Sequence, residues 1–228
     1  MRGIFVTGTD TGVGKSVVTG LLGKYLREKG YHVVTQKWIQ TGSSVPADIN
    51  LHLKIMGMFR GKIKDYRTCV CPYILKLSAS PHLAAQAEQR KIHVAKIKKT
   101  FKTLFSNFDF VIVEGIGGVL VPLDKQRLVI DIAKELDLSI LVVVQNKLGA
   151  INHALMTIEV LKNRKMKILG LIFNNLKGQK QLILKDNPEI IKKFTQQRVL
   201  GVLPWQNNFN LLYKKFLPIT RKISWKIC

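Results

Sequence analysis

The stretch "FVTGTDTGVGKSVVTGLL" (residues 5–22) decides the fold. It opens on β-forming apolar residues, passes through "GTDTGVGKS" (8–16) and continues as a helix beginning on Lys15 and Ser16. Glycines at 8, 12 and 14 let successive backbone N–H groups turn inward without Cβ clashes, which makes a cradle for an anion. The helix that follows adds the positive end of its dipole. The pattern G-x-x-x-x-G-K-[ST] is not met strictly, because Thr9 stands where its first glycine belongs and Gly8 lies one place earlier. Strand, helix and the Gly-Lys-Ser ending agree nonetheless. Lys15 is placed to reach the outer phosphates of a nucleoside triphosphate, and Ser16 to ligate Mg²⁺.

Further apolar runs recur at 31–37, 108–115, 138–146, 167–175 and 198–204, with helical patterns between them such as "INHALMTIEVLKNRK" (151–165). Strands apolar on both faces belong in a parallel sheet covered by helices. The expected architecture is a doubly wound α/β sheet of the P-loop type with helices on both faces, built as one domain over residues 1–228. Gly30 is expected to close the first helix, over about 15–29. Ligands in such sheets sit at the carboxyl ends of strands. Lys37 ends the second strand, and there it either faces the ligand or is a solvated strand end. Glu114 ends "FVIVE" before Gly115, Gly117 and Gly118, where an acidic residue holds magnesium in phosphate-loop enzymes. Asp48 in "PADINLHLK" is a candidate metal ligand or the cap of its own helix.

The chain has 228 residues, 37 basic and 14 acidic, for a net charge of +23. Such an excess suits nucleic acid or an anionic membrane. The positive residues are spread along helices, however, which favours a lysine-rich surface. In "KIHVAKIKKTFKTLF" (91–105) apolar residues mark one helical face and lysines the other. Cys69, Cys71 and Cys228 read as free thiols in a reducing cytoplasm, since Cys-x-Cys lacks usual zinc spacing. The N-terminus enters a strand directly, without a leader pattern, and no apolar run reaches the ~18 residues of a spanning helix.

Six blocks in order, "GTDTGVGKS", Lys37 with "TG" four residues on, "CPYILKLSASPHLAA" (71–85), "VEGIGGVLVP" (113–122), "NKLGAINHALMT" (146–157) and "GVLPW" (201–205), resemble the dethiobiotin synthetase family. That resemblance implies a cytoplasmic homodimeric ligase of biotin biosynthesis that uses ATP, Mg²⁺, CO₂ from bicarbonate and 7,8-diaminopelargonate. The 7-amino group takes up CO₂ as a carbamate, which attacks the γ-phosphate; the 8-amino group then closes the ring on the mixed anhydride and expels phosphate. The resemblance assigns ATP to Thr11, Gly12, Val13, Gly14, Lys15, Ser16, Glu114, Asn174 and Pro204. It assigns the diamine substrate to Thr11, Lys37, Thr41, Gly149, Ile151 and Asn152, the last three across a twofold interface, and Mg²⁺ to Ser16, Asp48 and Glu114. Lys15 and Lys37 are the expected catalytic pair. Asn175 competes with Asn174 for the adenine role. Trp38 replaces the family's usual proline, either stacking on a ligand or filling a gap, and His82 reads as a packed or hydrogen-bonded histidine. The alternative is a nucleotide-switched ATPase of the ParA/MinD kind acting on DNA or membrane. The signature lysine of that branch has its place at Asp10, and the tail "RKISWKIC" (221–228) is short and amphiphilic at best, no convincing membrane helix. An amidotransferase-type ligase would need a glutaminase domain for which there is no room. No nucleic-acid or membrane partner is expected.

Overall fold

A computed structural model describes residues 2–223; Cys228 and all but the first three residues of the tail 221–228 lie outside the described residues. The strands are β1 (Gly3–Gly8), β2 (Val33–Lys37), β3 (Ile39–Gln40), β4 (Tyr73–Ile74), β5 (Phe110–Glu114), β6 (Ser139–Asn146), β7 (Ile168–Asn175) and β8 (Val199–Leu203). The α-helices are α1 (Lys15–Glu28), α2 (Ala47–Met56), α3 (Arg67–Val70), α4 (Pro81–Ala87), α5 (Val94–Asn107), α6 (Val129–Glu135), α7 (Ala150–Asn163), α8 (Gln181–Thr195) and α9 (Phe209–Thr220). All six apolar runs are strands of one sheet in the order β2-β5-β1-β6-β7-β8, and every pairing is parallel.

Alternation along each strand supplies two cores. In β6, Ile140, Val142 and Val144 join the apolar cluster of α5, α6, α7 and α8, while Leu141 and Val143 join that of α1 and α9. The sheet is thus doubly wound, as its apolar strands imply. On α5 the side chains of Ile97, Phe101 and Leu104 are buried, and Lys96, Lys99 and Lys102 are exposed on the other side. Trp38 is 1% exposed; its ring tilts against Phe5 and its Nε1 donates to Gln36 Oε1 at 2.9 Å, so it fills the core. Cys69 and Cys71 are both free, and burial pushes the Cys71 thiol up to about 12.

Two local features position the site. β3 and β4 form a separate two-stranded parallel sheet, which zips residues 39–43 to residues 73–77. Strands of two residues leave no periodicity to read in the sequence. The second feature is the approach of α2 to α1 at Gly20. A Cβ built there would lie 2.9 Å from Ile55 Cβ. The bare backbone lets α2 sit close, and α2 carries Asp48. Gly20→Val is therefore expected to lower the free energy of unfolding by about 1–3 kcal/mol through overpacking. Equilibrium urea denaturation checks this; an unchanged midpoint contradicts it.

Candidate active site

The carboxyl end of β1 lies between β5 and β6, the point at which the winding reverses, and the phosphate loop follows it there. Gly14 has φ 101°, and an added Cβ would stand 2.3 Å from Asn174 Nδ2. Only glycine fits both the conformation and the space. Asn174 in turn donates to Val13 O at 3.0 Å, so β7 buttresses the loop. Lys15 folds back over the loop and donates to Asp10 O at 2.7 Å.

Strand register brings the acidic and second basic residues together. Lys37, last in β2, pairs with Glu114, last in β5, and Glu114 pairs with Val6 of β1. Lys37 Nζ lies 2.8 Å from Glu114 Oε1, 2.7 Å from Asp48 Oδ2 and 2.9 Å from Gly115 O. Ser16 Oγ donates to Glu114 Oε1 at 3.0 Å and stands 3.3 Å from Asp48 Oδ1. Lys37 is therefore buried and paired at the carboxyl edge of the sheet, not a solvated strand end. Asp48 makes no cap: α2 begins after Pro46 with no side-chain cap bond, and the Asp48 carboxylate turns to Lys37. His52, which no sequence argument singled out, is buried behind Glu114, with Nε2 2.7 Å from Oε2. Its signal was available: it stands one helical turn after Asp48 and so shares that face of α2.

The charges set one another's protonation. Burial lowers the pKa of Lys15 to about 8, helped by the nearby Lys37 ammonium. Burial would also lower that of Lys37, but the Glu114 and Asp48 carboxylates outweigh it and raise it. For Glu114, burial pushes upward, and the Lys37 charge with the His52 hydrogen bond wins, holding the carboxyl well below its usual range.

Lys15, Ser16, Lys37, Asp48 and Glu114 line a cavity of about 700 Å³ with Thr11, Gly12, Gln40 and Thr41. Ser78 and Ser80 line its other side, brought there by the β3–β4 pairing. No local pattern in that segment signals its role, because its placement depends on pairing across more than 30 residues. His82 lies behind it, with Nδ1 3.0 Å from Ser80 Oγ. Val13 is buried beneath the loop. The β7–β8 register sets Asn174 opposite Leu203, so Pro204 follows beside it, and exposed Trp205 is covered on one side by Lys177. Asn175 is committed elsewhere, accepting from Asn146 Nδ2 at 2.8 Å, which leaves Asn174 as the loop-side amide. Gly149, Ile151 and Asn152 start α7 and do not line this cavity; Gly149 and Asn152 are exposed, next to Leu148 at 79% exposure.

A phosphate cradle at the switch point of an all-parallel sheet, with a lysine, a hydroxyl and two carboxylates around it, defines a P-loop nucleotide-binding protein. A family model described as an AAA domain matches residues 2–210. The chain is 37% identical over 183 residues to ATP-dependent dethiobiotin synthetase BioD 2 of Haemophilus influenzae, covering 80% of this chain and 95% of that one. It is 35% identical over 214 residues to ATP-dependent dethiobiotin synthetase BioD of Methanococcus vannielii, covering 93% and 98%. The chain belongs to the dethiobiotin synthetase family. Its backbone is also similar to a putative plasmid partition protein of Borrelia burgdorferi bound to AMPPNP (TM-score 0.61, 16% identity, 97% of each chain). The septum site-determining protein MinD of Pyrococcus horikoshii gives TM-score 0.57 and 20% identity over 97% of this chain and 88% of that one. At such identities those two share the fold alone.

A triphosphate in the cradle favours the charged form of Lys15. Since the free amine loses its proton near pH 8, nucleotide affinity should hold below that value and weaken as pH rises through it, by up to about tenfold per pH unit. Calorimetric ATP titrations from about pH 7 to about pH 9.5 test this, and affinity flat across that range contradicts it.

Proposed function

We propose that this chain is an ATP-dependent dethiobiotin synthetase, which carboxylates 7,8-diaminopelargonate and closes its ureido ring with release of ADP and phosphate. The observation that carries the reading is the convergence of Lys15, Lys37, Ser16, Asp48 and Glu114 on one cavity in a chain of this family. The ParA/MinD alternative rests on shared fold only. Asp10 holds the place of that branch's signature lysine and is used locally, its carbonyl accepting from Lys15 and its carboxylate from Thr11 N.

The residues suit the reaction. A carbamate and a triphosphate repel each other, and charge placed before the reaction offsets that repulsion without reorganisation. Lys15 and the N–H groups of Gly12, Val13 and Gly14 hold the phosphates. Lys37, entering from β2, faces the same space and stabilises the oxygens of the transferred phosphoryl. Thr11 and Thr41 orient the carbamate and the amine. Phosphoryl transfer needs position and charge more than covalent help, so no activated nucleophilic side chain is required.

The donor set fits Mg²⁺: a hydroxyl and two carboxylates are hard oxygen ligands, and the Lys37 ammonium already lies between those carboxylates as a cation. Ser16, Asp48 and Glu114 would hold the ion. Bound there, it would neutralise phosphate charge as a Lewis acid. Asn174 and Pro204 bound the space proposed for the purine. The exposed start of α7, at Gly149, Ile151 and Asn152, is proposed to serve the site of a second copy, its free N–H groups meeting the substrate carboxylate. The working unit is then a homodimer of single-domain chains, in the cytoplasm. Among the described residues no helix is long and apolar enough to cross a membrane.

Supplying bicarbonate to protein with ATP and the diamine should release ADP and form dethiobiotin; binding of both substrates without ADP release would sink the reading. Lys37→Ala should keep nucleotide binding and lose roughly 10²–10³-fold in turnover. It also removes the ammonium that balances buried Glu114 and half-buried Asp48, so the variant should be less stable, and wild-type turnover in it would show Lys37 misplaced. Sedimentation equilibrium should give about twice the 25.8 kDa chain mass, and a monomer that turns over at full rate would refute the shared site.

A further inference from the structure

The two oxygens of Glu114 meet different partners. Oε1 faces the cavity groups, 3.0 Å from Ser16 Oγ and 2.8 Å from Lys37 Nζ. Oε2 points the other way, 2.7 Å from His52 Nε2. His52 is 0% exposed, and its Nδ1 is buried with no hydrogen-bond partner among the described residues. A lone proton on Nδ1 would be a buried donor without an acceptor and would set two lone pairs against each other at 2.7 Å. The ring therefore donates from Nε2 to Oε2.

His52 and Asp48 lie one turn apart on α2 and share a face. That face delivers Asp48 to Lys37 and Ser16, and His52 to the end of β5. The histidine is thus the direct side-chain link between the helix that carries one carboxylate and the strand that carries the other. It occupies Oε2, so Glu114 cannot rotate to offer either oxygen indifferently. Because it ties α2 to the end of β5, the same contact constrains the separation of Asp48 from Glu114. An imidazole does this as a donor without taking up the carboxylate's charge.

We infer that His52 is a positioning residue for the cation site, holding Glu114 with Oε1 toward the cavity and setting the spacing of the two carboxylates. The inference rests on the proposal that Asp48 and Glu114 hold Mg²⁺. A merely space-filling histidine would leave metal affinity untouched.

The test is Mn²⁺ binding to protein saturated with a non-hydrolysable ATP analogue, read from the electron paramagnetic resonance of the free ion. Four proteins are compared: wild type, Asp48→Asn, His52→Leu and His52→Gln. His52→Leu, which lacks the donor, should weaken Mn²⁺ binding by about tenfold. His52→Gln, whose amide can reach the Nε2 position, should return it near the wild-type value. Asp48→Asn should weaken it at least as much as His52→Leu. Folded His52→Leu with wild-type affinity, while Asp48→Asn is weakened, overturns the inference and spares the metal site. Wild-type affinity in Asp48→Asn overturns the metal assignment itself, and the inference with it. Should the leucine variant not fold, His52→Met, with similar reach and no donor, takes its place with the same expected loss.

Discussion

The structure turns on a buried ion cluster in which the Lys37 ammonium is shared by Glu114 and Asp48. Removing a carboxylate and an ammonium from water is costly, several kcal/mol for each ion, and only close pairing and hydrogen bonding offset it. Glu114 meets that requirement with Ser16, Lys37 and His52, and Lys37 with two carboxylates and a backbone carbonyl. Four segments must therefore end at one point: the start of α1, the end of β2, the first turns of α2 and the end of β5. The parallel register places two of them, since Lys37 and Glu114 are paired last residues of adjacent strands.

The cluster also prepares the site for anions. Burial, and after it the field of Lys37, makes the Lys15 amine give up its proton more easily than usual. The same carboxylates that balance Lys37 are those proposed to take Mg²⁺, so the cation and the ammonium draw on one set of oxygens. Preorganised charge of this kind suits phosphoryl transfer, which asks little else of a protein.

The wide basic excess plays no visible part in this centre. Apart from buried Lys15 and Lys37, it shows on surfaces such as α5, where Lys98 pairs with Glu135 and its neighbouring lysines face solvent. The similarity of the backbone to partition and septum-site ATPases, at 16% and 20% identity, reaches the fold and no further. In this chain the loop carries Asp10, and a small β3–β4 sheet carries Ser78 and Ser80 to the cavity.

Read alone, the sequence determined the six sheet strands to within two residues at each end, the phosphate loop and the helix after it. These are local signals: continuous apolar runs, glycine conformational freedom, and a helix that opens on Lys-Ser. It also named Lys37, Asp48 and Glu114, because strand ends and helix starts are visible in pattern. It left open whether Lys37 faced solvent, whether Asp48 capped its helix, and whether Trp38 stacked or filled. Tertiary structure decided each of those, since each depends on what lies opposite. Lys37 finds Glu114 only through register, Asn175 is taken by Asn146 only after β6 and β7 pair, and Trp38 meets Phe5 only in the packed core. His52 is the extreme case: one turn from Asp48 in sequence, it acquires a role only because β5 ends beside it, 62 residues further along the chain.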